Sequence, residues 1–335
     1  MSRNSLFGPV DPAREAGYED PPPRKGFFTD TSVCIGCKAC EVACKEWNLI
    51  PDDGFDLLGS SYDNSGELGG STWRHVTFVE QTGPPPVSLG MPGVGPPDPH
   101  ADGHAASEAP SGLPTVTGDE GDVDALAAAG QTTAIPDGEQ PDFRWLMSSD
   151  VCKHCTHAAC LDVCPTGALM RTEFGTVVVQ DDVCNGCGYC VAACPYGVIE
   201  RRKGPEGTRN IGIAQKCTLC YDRLGAGQEP ACAKACPTDS IQFGDLDELR
   251  ERAEQRLGTV RSEGEDRARL YGNDDRDGVG GAGAFFLLLD EPEVYGLPPD
   301  PVVTTRDLPS MFNHAGVAGL ALLAGAAAAF LGGRR

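Results

Sequence analysis

The alternation of apolar and polar residues along the chain predicts several short strands. Residues 72–80 alternate as a half-exposed strand does, and residues 176–180 form a short β-branched run. Residues 27–29 (Phe-Phe-Thr) are extended in character and predict an edge strand. Residues 285–289 are five consecutive apolar residues, which is too short for a bilayer span and predicts a buried strand. With the helices that follow, this pattern favours an α+β fold.

Helical patterns occur at three places. A short helix is expected at residues 41–48, and residues 245–270 predict a charged, amphipathic surface helix. Residues 308–333 contain no Asp, Glu, Lys or Arg, and residues 311–333 are long enough to cross a membrane if helical. The Arg334-Arg335 pair would lie on the cytoplasmic side by the positive-inside rule, leaving the bulk of the chain outside the cytoplasm. Residues 1–26 lack the apolar stretch of a secretory signal peptide.

Residues 81–141 differ in composition from the rest of the chain. The segment is rich in Pro, Gly and acidic residues, and no Lys or Arg lies between Arg74 and Arg144. Such a segment buries too little apolar surface to order itself, so it predicts a surface loop or an insertion. His100 and His104, with Asp98 and Asp102, are candidates for weak metal binding, but a solvated loop is the favoured interpretation.

The formal net charge of −22 is concentrated in part in that segment. Residues 80–143 hold 11 acidic residues, which is half of the net charge, so the charge says little about the remainder. An acidic balance argues against nucleic acid as a partner.

All 16 cysteines fall into four blocks of four. The third block reads C-x2-C-x2-C-x3-C-P, the bacterial ferredoxin run for a [4Fe–4S] cluster, in which the fourth Cys ligates the other cluster of a two-cluster module. Gly186 and Gly188 within this block predict a tight, glycine-permissive loop. The other blocks repeat or vary this spacing. The blocks are Cys34, Cys37, Cys40 and Cys44; Cys152, Cys155, Cys160 and Cys164; Cys184, Cys187, Cys190 and Cys194; and Cys217, Cys220, Cys232 and Cys236.

Disulfides and zinc are the alternative uses of these cysteines. C-x2-C pairs do not bridge easily within themselves, and a C-x2-C-x2-C triplet is poorly suited to disulfides. Zinc sites use C-x2-C pairs but need neither the third cysteine nor the Cys-Pro ending. The spacing therefore favours iron–sulfur clusters, although it does not determine which blocks pair with each other.

Basic and aromatic residues near the blocks fit a cluster site. Five of the seven lysines lie within two residues of a cysteine, where positive charge favours the more negative, reduced state of a cluster. These are Lys38, Lys45, Lys153, Lys216 and Lys234. His154 and His157 are expected to support or flank the site rather than to ligate iron, because four cysteines are already present. Trp47 is expected to pack against a cluster or a partner.

Several of these runs resemble the iron–sulfur (beta) subunit of respiratory, membrane-bound formate dehydrogenase. The similar stretches are Cys34-Ile-Gly-Cys-Lys-Ala-Cys-Glu-Val-Ala-Cys44-Lys-Glu-Trp-Asn48, Lys216-Cys-Thr-Leu-Cys-Tyr-Asp-Arg223, Gly227-Gln-Glu-Pro-Ala-Cys232, Cys236-Pro-Thr238, Gly278-Val-Gly-Gly281 and Tyr295-Gly-Leu-Pro298. The resemblance covers residues 27–80 and 142–332, including the late apolar helix. The insertion at 81–141 and the short C-terminus depart from it.

The resemblance implies four [4Fe–4S] clusters with ligands shared between blocks. The first thiol set is Cys34, Cys37, Cys40 and Cys236. The second thiol set is Cys44, Cys217, Cys220 and Cys232. The third thiol set is Cys152, Cys155, Cys160 and Cys194. The fourth thiol set is Cys164, Cys184, Cys187 and Cys190.

The resemblance also implies a domain plan of two bacterial-ferredoxin-like modules, one inserted in the other. Residues 27–80 and 195–245 would form the first module, and residues 142–194 the second. An N-terminal arm (1–26), the insertion (81–141), a charged helix with a C-terminal extension (246–307) and a transmembrane helix with a short tail (308–335) would complete the chain.

The family's function implies partners but no bond chemistry in this subunit. A molybdopterin subunit with molybdenum or tungsten oxidises formate, and electrons pass through the four clusters to a membrane cytochrome b and quinone. The same arrangement resembles subunits of polysulfide, dimethyl sulfoxide and nitrate reductases and of membrane hydrogenases. A free-standing polyferredoxin is a further alternative, which the membrane helix disfavours.

Overall fold

The computed structural model describes residues 11–52, 62–63, 65–81 and 144–332, the side chains of residues 308–310 and 332 excepted. The predicted insertion, with His100, His104, Asp98 and Asp102, lies outside the described residues apart from its first residue. So do residues 1–10 and the Arg334-Arg335 pair. The chain divides into two compact units, Met1–Val79 with Trp145–Arg335 and Glu80–Arg144. The first unit contains all the cysteines.

The described helices are mostly short. They are α1 (Pro12–Glu15), α2 (Ala39–Asn48), α3 (Ala159–Asp162), α4 (Tyr189–Ala193), α5 (Tyr221–Gly225), α6 (Ala231–Lys234), α7 (Leu246–Ser262) and α8 (Leu308–Gly332). The strands are β1 (Lys25–Asp30), β2 (Arg74–Gln81), β3 (Arg144–Val151), β4 (Leu169–Arg171), β5 (Val177–Val179), β6 (Glu200–Arg201), β7 (Ala214–Gln215), β8 (Ile241–Asp245), β9 (Arg269–Tyr271) and β10 (Ala284–Leu288).

A four-stranded sheet in the order β8-β1-β10-β9 forms the largest ordered layer. Strand β1 pairs parallel with β10 and antiparallel with β8, so the prediction of an edge strand at residues 27–29 is wrong. The physical reason is burial on both faces. The side chains of the neighbouring Phe27 and Phe28 point to opposite faces of the sheet and both are fully buried, as in an internal strand.

The two faces of this sheet serve different purposes. Phe28 and Phe285 stack on one face beneath the apolar side of α7, which contributes Leu249 and Ala253. Phe27 on the other face packs with cysteines of the ligand loops. The cysteine loops therefore pack on one face of the sheet, and α7 covers the other face.

The remaining described strands form pairs, β2 with β3, β4 with β5 and β6 with β7. The predicted strands at 72–80, 176–180 and 285–289 are confirmed as β2, β5 and β10, and the helix at 41–48 is part of α2. The charged helix expected over 245–270 ends earlier, at Ser262, because Gly264 turns the chain with a φ of 106° towards β9.

Candidate iron–sulfur sites

The third thiol set surrounds one cavity. Its lining contains all four thiols of the set, together with His154 and Lys216. Burial raises the pKa of Cys155, and the nearby Cys152, Cys194 and Cys160 raise it further. The shared cavity shows that the four thiols face the same small volume, where each negative charge disfavours the next.

The first thiol set has a cavity of its own. All four of its thiols line it, with Ser149 and Ser240 beside them. The Ser149 Oγ lies 3.2 Å from the Cys40 Sγ. Three of these cysteines come from block one and the fourth, Cys236, from block four, so the fold brings together residues about two hundred positions apart in sequence.

The second thiol set is wholly buried. Burial raises the pKa of Cys44, and Cys217, Cys232 and Cys220 raise it further. The Asn48 Nδ2 donates to the Cys44 carbonyl oxygen at 2.8 Å and lies 3.7 Å from the Cys44 Sγ. The same Nδ2 lies 4.0 Å from the Cys220 Sγ, so one amide contacts a cysteine of block one and a cysteine of block four.

The fourth thiol set is partly open to solvent, with Cys187 exposed and Cys190 buried. Burial and then the charges of Cys184, Cys164 and Cys187 raise the pKa of Cys190 to about 11. Burial opposes ionisation of Cys164 as well. Backbone N–H groups, led by that of Leu169, outweigh this effect and lower its pKa overall.

Left-handed backbone bends each ligand loop around its thiols. Gly186 and Gly188 have φ angles of 71° and 82°, as the sequence predicted for a glycine-permissive loop. A Cβ on Gly186 would lie 2.5 Å from the Gly212 carbonyl oxygen, so the position needs glycine for space as well. Lys38 and Leu219 also have positive φ, at 59° and 57°, which residue type did not predict.

Three basic side chains near these sites are almost fully buried: Arg74, Lys153 and Lys216. Lys153 is paired with Asp150, whereas the Lys216 Nζ donates to the carbonyl oxygens of Val177 and Cys217. A buried cation without a carboxylate partner is costly, and a cluster ligated by four thiolates is an anion. The residues present therefore fit [4Fe–4S] clusters, and Lys153 and Lys216 line the cavity of the third set.

The other three lysines beside cysteines differ in their surroundings. Lys38 lines the cavity of the first set and forms ion pairs with Glu41 and Asp63. Lys45 is half-buried and Lys234 is exposed. Proximity in sequence alone thus did not distinguish buried charges from solvated ones.

Arg74 was missed by sequence reasoning, because no cysteine lies near it in the chain. A signal was nevertheless present. Alternation in a strand places Arg74 on the same face as Val76 and Phe78, so an arginine shares a face with two large apolar residues. Such a residue is expected to be buried against an anion or another acceptor.

The two histidines of the second block and Trp47 make contacts of other kinds. His154 is buried, and its Nδ1 accepts a hydrogen bond from the Val177 N–H at 3.1 Å. His157 packs against the backbone of Gly280. The Trp47 Nε1 donates to Asp222 at 2.8 Å, and the Arg223 guanidinium lies 4.2 Å from the centre of its ring.

Among the described His, Cys, Asp and Glu side chains, no group of three or more is placed to hold a single metal ion. In a cubane, the four thiolates bind four separate irons and surround the cluster. The first and third thiol sets, each distributed around a cavity, have the arrangement that such a cluster needs.

Neighbouring thiol sets are close to one another. Charge on Cys232 of the second set influences Cys40 of the first, and charge on Cys152 of the third influences Cys217 of the second. Cysteines of the third and fourth sets pack into one cluster of side chains. Cys37 and Cys187 are the exposed cysteines, one in the first set and one in the fourth.

The apolar helix α8 begins near the third and fourth sets. The Thr305 Oγ1 donates to Asp162 at 2.5 Å, and Asp162 lies between Cys160 and Cys164 in sequence. The Arg306 Nη1 donates to the Asp277 carbonyl oxygen at 2.9 Å. Residues Met311–Leu331 have a mean hydropathy of 1.8, and this segment is long and apolar enough for a membrane span.

Comparison with known proteins identifies two matching domain families, both described as 4Fe-4S dicluster domains. One matches residues 33–168 and the other residues 143–246. The chain is 36% identical to the formate dehydrogenase iron-sulfur subunit of Haemophilus influenzae over 278 residues, covering 82% of this chain and 68% of that protein.

Two Escherichia coli proteins are also similar. The iron-sulfur subunit of nitrate-inducible formate dehydrogenase is 34% identical over 82% of this chain and 73% of its own length. The B subunit of anaerobic dimethyl sulfoxide reductase is 31% identical over 68% of this chain and 76% of its own length. With its cysteine blocks, its dicluster domains and these relatives, the chain clearly belongs to the family of formate dehydrogenase iron–sulfur subunits.

Proposed function

We propose that this chain is the electron-transfer subunit of a formate dehydrogenase complex and holds four [4Fe–4S] clusters, one in each thiol set. The observation that carries the proposal is that two separate cavities are each lined by all four thiols of one set. The mutual electrostatic effects within the second and fourth sets support the same grouping. Bound clusters of this type each accept and release one electron.

The nested arrangement of two modules is part of the proposal. Cys44 lies in block one and the other ligands of its set in block four, while the third and fourth sets use blocks two and three only. Pairing of β1 with β8 supports joining residues 27–80 with residues 195–245 in an α+β module. Strand β10 then adds residues of the C-terminal extension to the same sheet.

The order of the thiol sets gives the two ends of the proposed electron path, and formate as the electron donor gives its direction. The hydrogen bond between Thr305 and Asp162 supports placing the fourth set near the membrane helix. The first set would then face a molybdopterin catalytic subunit, with molybdenum or tungsten, and the fourth set a membrane cytochrome b. Helix α8 would cross the plasma membrane once, with the bulk of the chain on the extracytoplasmic face.

Two measurements on the complex purified from detergent-solubilised membranes test this function. Iron and acid-labile sulfide should be present at no fewer than sixteen of each per copy of this chain if four cubanes are bound, and the haem of a cytochrome b adds iron but no sulfide. Formate should reduce an artificial dye, and quinone reduction should accompany it. Zinc in place of iron would contradict the cluster assignment.

An equivalent subunit of a sulfoxide reductase is the second candidate, because the B subunit of anaerobic dimethyl sulfoxide reductase matches over 68% of this chain. Reduction of a sulfoxide by the purified complex, without formate activity, would support this candidate. The four clusters would then carry electrons away from the membrane instead of towards it.

A further inference from the structure

Arg74, the first residue of β2, places a permanent positive charge inside the protein. Its side chain is 2% exposed. The Nη1 donates to the Ser149 Oγ at 2.9 Å and to the Ser149 carbonyl oxygen at 3.3 Å. The guanidinium lies over the Phe27 ring, 4.9 Å from its centre. Its Nε and Nη2 are buried and have no hydrogen-bond partner among the described residues.

The charges that surround Arg74 belong to cysteines of two different sets. Burial lowers the pKa of the guanidinium, but the negative charges of Cys232, Cys40, Cys217 and Cys44 raise it by more, so the net shift is upward. Cys40 is in the first set and the other three are in the second. The contacts agree, because Phe27, which the guanidinium overlies, packs in one cluster of side chains with Cys40, Cys217 and Cys232. Ser149, which accepts from Arg74, also lies 3.2 Å from the Cys40 Sγ.

We propose that the positive charge of Arg74 raises the reduction potentials of two clusters, the one in the first thiol set and the one in the second. The proposal rests on the proposed function, since it requires clusters in these sets. Reduction makes a cluster more negative, and a nearby cation in a medium of low dielectric stabilises that state. An arginine stays charged at any physiological pH, so the effect does not depend on pH.

A cation shared by two sites has a specific consequence. It shifts both potentials in the same direction and largely preserves the difference between them. Entry of an electron into the first set becomes more favourable, while the step from the first set to the second changes little. Arg74 thereby sets the reduction potentials of the first and second clusters relative to those of the third and fourth.

Other buried cations are arranged differently. Lys153 is neutralised by Asp150. Arg171 belongs to the third set, because Cys155 and Cys160 are the charges that influence it most, and its guanidinium donates to the carbonyl oxygens of Gly175, Cys155 and Thr156. Arg74 differs from both, since the described part of the protein offers it neither a carboxylate partner nor a full set of carbonyl acceptors.

The test is an EPR-monitored redox titration of the intact complex with Arg74→Gln. At the potential where the unaltered clusters are half reduced, the ratio of reduced to oxidised cluster should fall about tenfold for two of the four signals, which is about 59 mV for one electron. The other two signals should change less than about twofold in that ratio, because screening and distance weaken the effect.

Arg202→Gln is the matched control. Arg202 is also buried, lies 6.0 Å from the centre of the Trp73 ring and donates from its Nε to the Gly70 carbonyl oxygen. Its loss should leave all four potentials unchanged. The iron and sulfide content of the unaltered complex is measured first, so that absence of four clusters rejects the proposed function rather than the role of Arg74.

Two results would overturn the proposal: a fully loaded Arg74→Gln complex with unchanged potentials, or equal shifts of all four signals. If Arg74→Gln does not retain its clusters, Arg74→Lys decides the question because it keeps the charge. If the reduced-to-oxidised ratios of the Arg74→Lys clusters stay within about threefold of those of the unaltered complex, the charge of the residue is the cause. A fall as large as that expected for Arg74→Gln would show that charge is not the cause.

Discussion

The second and fourth thiol sets stabilise their proposed clusters in contrasting ways, although both use the same type of cysteine run. Every thiol of the second set is buried, and the positive charge of the buried Arg74 acts on Cys44 and Cys232. In the fourth set Cys187 is exposed, and backbone N–H groups lower the pKa of Cys164 despite burial. An anion can therefore be held by a buried cation, or by solvent together with backbone donors.

The largest expected difference between the two sets is the effect of losing a ligand. Cys217→Ala should prevent recovery of a folded, loaded chain, because it leaves a cavity and an incomplete cluster in the buried centre. Cys187→Ala should remain folded and should lose or convert one cluster only. Dye reduction with formate would persist in that variant, while quinone reduction would fall by at least about tenfold, a barrier change of about 1.4 kcal/mol. Iron content and the two activities measure the outcome.

Equal yield and iron content for both ligand variants would remove the distinction between a buried and an exposed set. Cys187→Ala with full iron and intact quinone reduction would show that Cys187 is not a ligand.

Oxidative damage should sharpen the same comparison. On exposure of the purified complex to oxygen or ferricyanide, the cluster at the exposed Cys187 should be lost before the cluster of the buried second set, because oxidant reaches it directly. We expect loss rates that differ severalfold. EPR spectra recorded through the time course would follow each signal, and simultaneous loss of all clusters would indicate global unfolding instead.

A smaller effect should follow from Gly186→Ala in the loop of the fourth set. The φ of 71° is strained for alanine, and the new Cβ would meet the Gly212 carbonyl oxygen at 2.5 Å. Gly167→Ala is the control, since its φ is 69° with nothing within 4 Å of the added Cβ. Both variants should lose about 1 kcal/mol to backbone strain, with a further loss and lower iron content only for Gly186→Ala. Thermal unfolding and iron analysis would compare them.

The smallest effects concern two aspartates with opposite pKa shifts, one near the first set and one near the third. Burial opposes ionisation of Asp63, but the N–H groups of Ser65 and Gly66 outweigh it and the pKa is lowered overall. Burial raises the pKa of Asp277, and the N–H groups of Val279 and Gly281 only partly offset this. The charged form is therefore favoured by folding at Asp63 and disfavoured at Asp277.

The two substitutions should consequently change stability in opposite directions. The contribution of Asp63 is present above pH 3.8 and is lost as pH falls through its lowered pKa, so Asp63→Asn should lower Tm at pH 7. The favourable contribution of Asp277 is present below pH 3.8 and is lost as pH rises through its raised pKa, so Asp277→Asn should raise Tm at pH 7. The gain for Asp277→Asn should shrink towards pH 4. Calorimetry at both pH values would check the sign, and a shared sign would contradict the assignment.

Much of the site could be predicted from cysteine spacing, because ligand geometry restricts how thiols can be separated along the chain. The glycines at 186 and 188 were expected for the same reason, and their positive φ angles agree. The apolar C-terminal helix was visible as an uncharged run of the length that a bilayer span requires. These features depend on residues close together in the sequence.

Features that depend on distant residues were harder to predict. Phe27 and Phe28 indicated a strand, but only its pairing with β8 and β10 made it internal. The helix predicted over 245–270 is longer than the observed helix, because the prediction did not include the turn at Gly264. Lys234 lies within two residues of a cysteine, as the buried Lys153 and Lys216 do, yet it is exposed.

The sequence by itself determined the chemistry of this protein: sixteen thiols in four runs, a cluster-binding family and an apolar C-terminal helix. Spacing and composition are local properties, so they can be read without a fold. Only the tertiary structure decided which basic side chain lies beside which thiol set. Arg74 lies in a segment without cysteines and reaches two sets at once, because β2 and the ligand loops are brought together by packing that no local pattern encodes.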